Sequence, residues 1–309
     1  MNRSIMIWVG GVFAAAGILG CSTGGTKSTG VGYDNREGFV AYGGKQMMVY
    51  RFGEVPFKPY VKELRSPNGV QVLRDAPGDH LHHHALMFAI GVDGVDFWAE
   101  TPGCGKEVHR SNSLSAFNHV QGSLGRLEET IDWNGPNGKL LEEKRSIETY
   151  PLSGATVLNW QSKLTRPEGM VAAKLTGSHY FGLGARFAET MDKGAKFIYS
   201  DGKAGTVVRG DERLTEGKWC AVQGTVDDQD VTIAMFDGTG NPRPTAWFTM
   251  GEPFAYLAAT MRLHEQPMEL KAGQTMNLHY GVAVWDGHVG AGEIEKVYRK
   301  WREQMTGRN

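Results

Sequence analysis

The chain has 309 residues, of which 40% are hydrophobic and 22% are charged. This length and composition fit a folded protein with one large core or two modest cores, and they argue against an intrinsically disordered chain. The formal net charge is -1 and lysine and arginine form no dense cluster, so the sequence disfavours a nucleic-acid partner.

Residues 1–20 have the pattern of a bacterial export signal. Arg3 provides a basic start, an apolar run extends from Ile5 to Leu19, and Gly20 precedes Cys21. The ending ILGC resembles a lipobox, which implies cleavage before Cys21 and lipidation of that cysteine. The protein is then expected to be anchored in the bacterial cell envelope, in the periplasm or at the outer-membrane surface. A plain signal anchor is the alternative, but the apolar run is shorter than the ~20 residues of a spanning helix.

Residues 21–36 are rich in Gly, Ser and Thr and are predicted to form a flexible tether, which leaves 37–309 as a single folded domain. Export permits disulfide bonds, and Cys104 and Cys220 remain as a pair when Cys21 carries lipid. Neither cysteine has the spacing of a zinc site. Two free thiols are favoured over a bond between them.

Turn residues separate short runs of β-branched and aromatic residues along the body of the chain. Pro67-Asn68-Gly69 and Asp93-Gly94 each lie between two such runs and predict hairpins. The same pattern recurs over 130–150, 164–177, 198–209, 223–238 and 268–285. The middle of the chain shows no sustained helical periodicity and no alternation of strands with helices, which argues against a parallel sheet. We therefore expect an all-β protein, a large antiparallel β-sandwich.

The C-terminus is the exception to this pattern. Its apolar residues fall on one stripe of a helix, namely Ile294, Val297, Trp301 and Met305. Glu295 and Arg299 are four residues apart and can pair on the opposite side. The sequence predicts an amphipathic helix that lies on the sheets.

Four histidines occur within five positions, just before an apolar run that is typical of a buried strand; they are His80, His82, His83 and His84. Because buried imidazoles are costly without partners, this density favours a site over solvated loop histidines. An extended backbone would direct His80, His82 and His84 to one face and His83 to the other. Three imidazoles on one face can bind zinc or copper, and they can equally transfer protons near neutral pH.

Four stretches resemble the bacterial family labelled methane oxygenase PmoA-like, whose members are mostly uncharacterised exported proteins. They run in order from Lys58 to Gly287 and comprise KPYVKELRSPNGVQVLRDAPGDHLHHHALMFAIGVDGVDFWAE, HYFGLGARF, VTIAMFDGTGNPRPTAWFTM and PFAYLAATMRLHEQPMELKAGQTMNLHYGVAVWDG. Ala85 stands where the family usually has glycine. Particulate methane monooxygenase subunits are polytopic membrane proteins, whereas this chain has a single N-terminal apolar segment, so the similarity to them is in name only.

The resemblance implies a galactose-mutarotase-like supersandwich and a carbohydrate or other small-molecule substrate. In mutarotase-like enzymes a histidine acts as general acid toward the ring oxygen of the sugar, and a carboxylate takes the anomeric proton. The candidate catalytic residues are His80, His82, His83, His84, Arg186, Glu189 and Asp237. The candidate substrate contacts are Arg74, Asp79, His179 and Arg243.

Each candidate outside the histidine cluster has an ordinary structural alternative. An arginine such as Arg186 commonly forms an ion pair, an aspartate such as Asp237 commonly forms a turn, and Arg243 is expected at the surface. Gly182 and Gly184 precede Arg186 and predict a close backbone approach there. Stacking on a sugar is a further possible role for Trp98, Trp247 and Trp285, although core packing is favoured for each.

Three functions follow from these residues. The favoured one is an exported lipoprotein that acts on carbohydrate by histidine and carboxylate acid–base chemistry, as an epimerase, lyase or hydrolase. The second is a metalloprotein with zinc or copper bound by His80, His82 and His84, acting as a hydrolase or oxygenase. The third is a sugar-binding lipoprotein without catalysis. No cofactor is favoured.

Overall fold

A computed structural model describes residues 28–119 and 122–306. The predicted signal peptide over 1–20 and the predicted lipidation of Cys21 lie outside these residues. Strand β1 (Thr29–Tyr33) pairs with β2 (Glu37–Tyr42), and Val31 packs against the core. The tether predicted over 21–36 is therefore wrong for 29–33, and the folded domain begins before residue 37. Among the described residues, none of the helices combines the length and apolarity needed to cross a bilayer.

The strands, numbered in chain order, form three antiparallel sheets within the described residues. The first is 10-stranded, and its spatial order is β1, β2, β3 (Lys45–Arg51), β4 (Tyr60–Leu64), β5 (Leu86–Ala89), β13 (Gly182–Arg186), β20 (Tyr256–Thr260), β19 (Ala246–Met250), β16 (Glu212–Glu216) and β15 (Thr206–Arg209).

The second sheet is 8-stranded, in the order β14 (Lys196–Tyr199), β17 (Trp219–Val226), β18 (Gln229–Asp237), β22 (Thr275–Asp286), β11 (Ala155–Thr165), β10 (Gly138–Leu152), β9 (Gly122–Gly135) and β8 (Lys106–His119). The third is 4-stranded, in the order β21 (Met268–Leu270), β12 (Ala173–Thr176), β6 (Gly91–Val92) and β7 (Val95–Asp96). A short 3₁₀ helix spans Glu189–Asp192, and helix α1 spans Ala291–Thr306.

The main core lies between the two large sheets. Phe88 on β5 meets Trp133 on β9 with ring centroids 6.0 Å apart, so side chains from both sheets interdigitate. Along β22, buried Met276, Leu278 and Tyr280 alternate with more exposed neighbours, as the two-residue period of a strand requires. The predicted antiparallel sandwich is confirmed.

The predicted C-terminal helix is also confirmed. Its apolar stripe forms a second core against the 8-stranded sheet, and Ile294, Val297 and Trp301 are each 0% exposed. Burial of one such side chain stabilises the fold by about 1.5–3 kcal/mol. Gly281 on β22 admits the indole, because a Cβ at that position would lie 2.8 Å from Trp301. Arg299 Nε pairs with Glu295 Oε1 at 2.8 Å on the exposed side.

The predicted hairpins have mixed outcomes. The turns within 91–96, 130–150 and 223–238 join neighbouring strands, and Arg65 bridges Gln71 around the turn at Pro67–Gly69. In 164–177, 198–209 and 268–285 both strands form, but they lie in different sheets. These three segments are crossovers, because a turn sequence specifies a change of direction and leaves the pairing partner open. Cys104 and Cys220 are both free.

Candidate functional site

The histidine segment is a compact turn. His80 N donates to Pro77 O and His83 N donates to His80 O, each at 2.9 Å, and Ala85 adopts the left-handed conformation with φ 45°. The predicted extended alternation is therefore wrong. The rings of His80, His82 and His83 cluster together, with centroids 4.6 Å apart for the pairs His80–His83 and His82–His83. His84 belongs to a separate network.

The three clustered histidines border a cavity of about 530 Å³ on the 10-stranded sheet. Strand β19 contributes Phe248 and Met250, which share one face of the strand, and Tyr256 on β20 pairs directly with Met250. The remaining lining residues come from the ends of β15 and β16 and from loops, namely Tyr180, Arg209, Gly210, Asp211, Glu212, Glu252, Pro253 and Phe254. We call this space the histidine cavity.

Glycines in β13 bring Tyr256 into place. A Cβ on Gly184 would lie 1.9 Å from the Tyr256 hydroxyl, and one on Gly182 would lie 2.0 Å from Ala259 O. The close backbone approach predicted from these two glycines is confirmed. Trp98 packs on the same surface, with its ring centroid 6.3 Å from that of Tyr256. It is 2% exposed, so its contribution is packing rather than an open stacking surface.

Several residues that line the histidine cavity carry buried polar atoms without a hydrogen-bond partner among the described residues. These atoms are His83 Nδ1, the Tyr256 hydroxyl and Glu212 Oε2, and the adjacent Trp98 Nε1 shares this property. An unsatisfied buried polar group costs about 1–3 kcal/mol, and such groups are rare in native proteins. Their concentration at one cavity is typical of a site that binds a polar ligand.

The clustered histidines differ in their electrostatic surroundings. Burial, reinforced by the neighbouring His82 and His80, lowers the pKa of His83 to about 3. Burial also lowers the pKa of His82. Both rings are therefore neutral at pH 7, with one nitrogen able to donate and the other able to accept. His80 Nδ1 lies 3.0 Å from Asp79 Oδ2.

A second titratable group lies around Glu212. Arg209 Nη2 donates to Glu212 Oε1 at 2.6 Å, whereas His179 Nε2 is 3.3 Å from Glu212 Oε2 without a hydrogen-bonding angle. Glu212 Oε2 therefore keeps its capacity to accept a proton or a ligand hydroxyl. His179, a predicted substrate contact, packs against Tyr180 and lies beside Glu212 at the edge of the cavity.

His84 is paired on both sides of its ring. Nδ1 lies 2.9 Å from Asp75 Oδ1 and Nε2 lies 3.0 Å from Glu100 Oε2. Burial alone would lower the pKa of His84, but the hydrogen bonds to these carboxylates outweigh it and raise the pKa. Tyr60 donates to Asp75 at 2.8 Å and Lys58 donates to Glu100 at 2.6 Å, which completes the set that we call the His84 network.

The predicted metal site is not formed. Both nitrogens of His84 are occupied by carboxylates, so His84 cannot join His80 and His82 as a ligand. Within residues 28–119 and 122–306, no three His, Cys, Asp or Glu side chains lie in an arrangement suited to a metal ion.

Arg186 lies behind the histidine cavity rather than in its lining. The residue is 1% exposed, and its guanidinium carbon is 3.5 Å from the ring centroid of Phe254, which does line the cavity. Its Nη2 is 3.3 Å from Asp192 Oδ2 and 3.6 Å from Asp79 Oδ2. Arg186 thus positions Phe254 and the Asp79 carboxylate that faces His80. Arg74 pairs with Asp192 at 3.5 Å and does not line the cavity.

Three further predicted site residues, besides His84, Arg186 and Arg74, lie outside the lining of the histidine cavity. Glu189 has a side chain that is 75% exposed and pairs with Arg74 at 3.1 Å. Asp237 accepts hydrogen bonds from Thr245 and Asn241 within a turn, at 2.5 and 2.7 Å. Arg243 donates to two backbone carbonyls. Local ion pairs and hydrogen bonds engage these three side chains, so the structure does not place Glu189 or Asp237 beside the clustered histidines or Arg243 in the cavity lining.

The sequence reasoning missed the carboxylates that line the cavity, Asp211, Glu212 and Glu252. Glu212 lies in GDERLTEG, which has the polarity of an ordinary surface turn. The aromatic residues Tyr180, Phe248, Phe254 and Tyr256 were missed as well, and the only available signal was that Tyr180 follows the candidate His179. Trp247 and Trp285, at 0% and 3% exposure, are core residues.

Comparison with known proteins identifies the family of this chain and relates its fold to solved structures. The pattern of the family of unknown function DUF6807 matches residues 39–299. The chain belongs to this family. A search of curated proteins finds no match. The resemblance to PmoA-like proteins stays a prediction.

Two solved structures share the sandwich. The GH36 alpha-galactosidase AgaB from Geobacillus stearothermophilus is 11% identical, with 87% of this chain and 42% of that chain covered and a TM-score of 0.54. For the alpha-galactosidase from Lactobacillus brevis the identity is 8%, the coverages are 86% and 40%, and the TM-score is 0.50. The DUF6807 chain thus spans about two fifths of these galactosidases. At this identity the likeness shows the fold alone, which is the predicted galactose-mutarotase-like sandwich.

Proposed function

We propose that the histidine cavity binds a carbohydrate and that histidine and carboxylate side chains carry out acid–base chemistry on it. The observation that carries this proposal is the set of unpartnered buried polar atoms on His83, Tyr256 and Glu212 around one cavity of about 530 Å³. A sugar offers hydroxyl groups that satisfy such atoms as donor or acceptor. Its apolar ring face matches the aromatic lining from Phe248 and Phe254. The likeness of the fold to domains in two galactosidases is consistent with a carbohydrate ligand.

Glu212 and His80 are the residues best suited to proton transfer. Arg209 holds one oxygen of Glu212 and leaves the other free to accept a proton. His80 faces the Asp79 carboxylate through Nδ1, which leaves Nε2 as the ring nitrogen available to the substrate, and we assign His80 the role of proton donor. His82 and His83 are neutral and act as hydrogen-bonding groups that orient the sugar.

The simplest reaction of this kind is ring opening and closure of an aldose. Glu212 takes the proton of the anomeric hydroxyl while His80 donates a proton to the ring oxygen, and the bond between the anomeric carbon and the ring oxygen breaks. Closure on the other face of the carbonyl returns both protons, so no net proton is consumed. Removal of either group is expected to lower the rate by about 10²–10⁴-fold.

Sugar binding without turnover is a second candidate function. It is supported by the lowered pKa values of His82 and His83, which keep these two rings neutral and suited to hydrogen bonding rather than to proton donation at pH 7. Export and lipidation at Cys21 stay predictions, and they would place either activity in the cell envelope.

NMR of a panel of reducing sugars and oligosaccharides, with and without the protein, tests the proposal. Faster anomeric exchange or new products with wild type, lost in E212Q and H80N and kept in E189Q, would support catalysis at this cavity. E189Q is a matched control because Glu189 is exposed and outside the lining. Ligand binding that depends on His83 without any turnover would support the second function. Absence of both binding and turnover across the panel would overturn both.

A further inference from the structure

A second cavity lies at the edge of the sandwich, away from the histidine cavity. It has a volume of about 270 Å³ and is formed by the loop Phe52–Phe57 and the first residues of β8, Lys106 to His109. It shares no lining residue with the histidine cavity. Glu107 and His109 are two residues apart on β8 and therefore share one face of the strand. We call this space the β8 cavity.

Glu107, which lines the β8 cavity, carries an unpartnered polar atom. Its side chain is 0% exposed, Oε2 accepts a hydrogen bond from Arg145 Nη2 at 3.0 Å, and Oε1 has no partner among the described residues. Burial raises the pKa of Glu107 to about 8, against the opposing charge of Arg145. The carboxyl is therefore protonated near neutral pH, and its hydroxyl is a hydrogen-bond donor.

His109 supplies an oriented ring on the same wall. Its Nδ1 lies 2.7 Å from Glu129 Oε1, and Tyr50 and Arg145 hold Glu129 in place through a chain of hydrogen bonds. Because the Glu129 carboxylate faces Nδ1, the other ring nitrogen, Nε2, is the one available to a ligand. The described residues provide no partner for Nε2. The ring packs against Phe52 with centroids 4.8 Å apart, and its side chain is 25% exposed.

The carboxylates of Glu54 and Glu129 beside the β8 cavity have local partners, and Lys106 is exposed to solvent. Glu54 is paired with Arg36 at 2.8 Å, and Glu129 is paired with His109. Lys106 lies over the ring of Phe57, with Nζ 5.3 Å from the centroid. None of the described buried groups here carries an unpaired charge that could bind a charged ligand. A neutral hydroxyl group, by contrast, can accept a hydrogen bond from Glu107 and donate one to His109.

We propose that the β8 cavity is a second binding site, which takes a small neutral polyol or monosaccharide through Glu107 and His109. The ligand accepts a hydrogen bond from the Glu107 carboxyl group, donates one to His109 Nε2, and packs its carbon face on Phe52. This site is independent of the proposed function of the histidine cavity.

Titration of the full chain, labelled with ¹⁵N and ¹³C in histidine, with erythritol and with D-galactose tests this site. A saturable shift of the His109 ring signals is expected, because a new donor reaches Nε2. E107L, which lacks a donor, is expected to weaken binding about tenfold, the effect of one hydrogen bond. E107Q retains an N–H donor at the same place and is expected to keep the affinity within about threefold.

The H83N variant separates this site from the histidine cavity, since it should leave the His109 response unchanged. If E107L does not fold, H109F takes its place, with the backbone amides of Phe57 and Lys106 as the signals that report binding. An unshifted His109 ring at the solubility limit of both probes would overturn the proposal. Equal affinity of wild type and of E107L or H109F would overturn it as well.

Discussion

The histidine cavity contains His83, and the His84 network contains the next residue in the chain. The two regions differ in whether their buried polar groups have hydrogen-bond partners. Around the cavity, Nδ1 of His83 and the hydroxyl of Tyr256 have no partner among the described residues. In the network, both nitrogens of His84 face carboxylates, and the hydroxyl of Tyr60 donates to Asp75. Burial lowers the pKa of His83, whereas the two carboxylates raise that of His84.

This difference predicts that one region mainly stabilises the fold and that the other mainly binds a ligand. A fully paired buried network stabilises one arrangement of the chain, because loss of any member leaves a charge without compensation. Unpaired buried groups cost stability in the free protein and regain it when a ligand supplies the missing hydrogen bonds. Under the proposed function the four neighbouring histidines serve two purposes, so substitution of His84 should affect folding and substitution of His80, His82 or His83 should affect ligand binding.

The largest effect is expected from H84A. This change removes the ring between the partly buried carboxylates of Asp75 and Glu100, which keep Tyr60 and Lys58 as partners. The loss of two hydrogen bonds to charged groups should lower the free energy of unfolding by about 3–5 kcal/mol. Urea denaturation at pH 7 measures this loss. H82A is the matched control, because His82 is half-buried and unpaired, and it should cost about 1 kcal/mol or less. Equal losses for the two variants would contradict the contrast between the cavity and the network.

A smaller loss of stability is expected when the pH is lowered, because His83 is buried in its neutral form. The pKa of His83 is about 3 in the folded protein against 6.5 for an unperturbed histidine, so the unfolded chain takes up the proton first as the pH falls. The stability due to the neutral ring is thus present above pH 6.5 and is lost below it, at about 1.4 kcal/mol per pH unit. Between pH 6.5 and 5, wild type should lose about 2 kcal/mol more than H83F, as measured by denaturation.

His84 should show the opposite sign. Its pKa is raised, so the stability that it contributes is complete below pH 6.5 and declines as the pH rises through the folded value. The difference between wild type and H84Q should therefore shrink above neutral pH. A difference that grows with pH would show that the imidazolium is not the stabilising form.

Removing one hydroxyl group from a tyrosine in each region gives a direct comparison of the two regions. Y256F should lower the affinity for a sugar about tenfold and leave the free energy of unfolding unchanged or raised by up to about 1 kcal/mol, because the deleted hydroxyl has no partner. Y60F should lower the unfolding free energy by about 1.5–3 kcal/mol and leave the affinity unchanged, because it deletes a bond to a carboxylate. Calorimetry and denaturation on both variants measure the four values, and the reverse assignment would refute this division.

The smallest effect is expected from E189Q. The Glu189 side chain is 75% exposed and lies outside both regions, so its exposed ion pair with Arg74 contributes little. The unfolding free energy should change by less than about 0.5 kcal/mol and sugar affinity should not change. A clear loss of binding in E189Q would restore Glu189 as a site residue.

Local features were predictable where neighbouring residues decide the outcome. The stripe of α1 and the turn at Asp93-Gly94 depend on side-chain spacing and backbone preference within a few residues, and both are present. The density of histidines marked a segment that borders a cavity. Their directions were not predictable, because Ala85 takes a left-handed conformation and the segment folds as a turn instead of an extended strand.

Glu212 illustrates what local reasoning misses. It is distant in sequence from His83, and only the pairing of β16 with β19 and of β19 with β20 brings it to the cavity. Glu189 had the expected residue type, but its contact with Arg74 keeps it outside. The chemical type of each residue is evident from the sequence. The residues that it contacts depend on the order of the strands in the sheet.

The sequence by itself determined that this chain builds antiparallel strands, ends in an amphipathic helix and concentrates imidazoles at one turn, because hydrophobic spacing and turn chemistry act over short distances. The tertiary structure alone decided which strands became neighbours, which histidine met carboxylates and which atoms stayed unpaired. Those outcomes depend on side chains far apart in the chain that meet where water is excluded. Where water is excluded, a single nearby charge shifts the pKa of an imidazole ring.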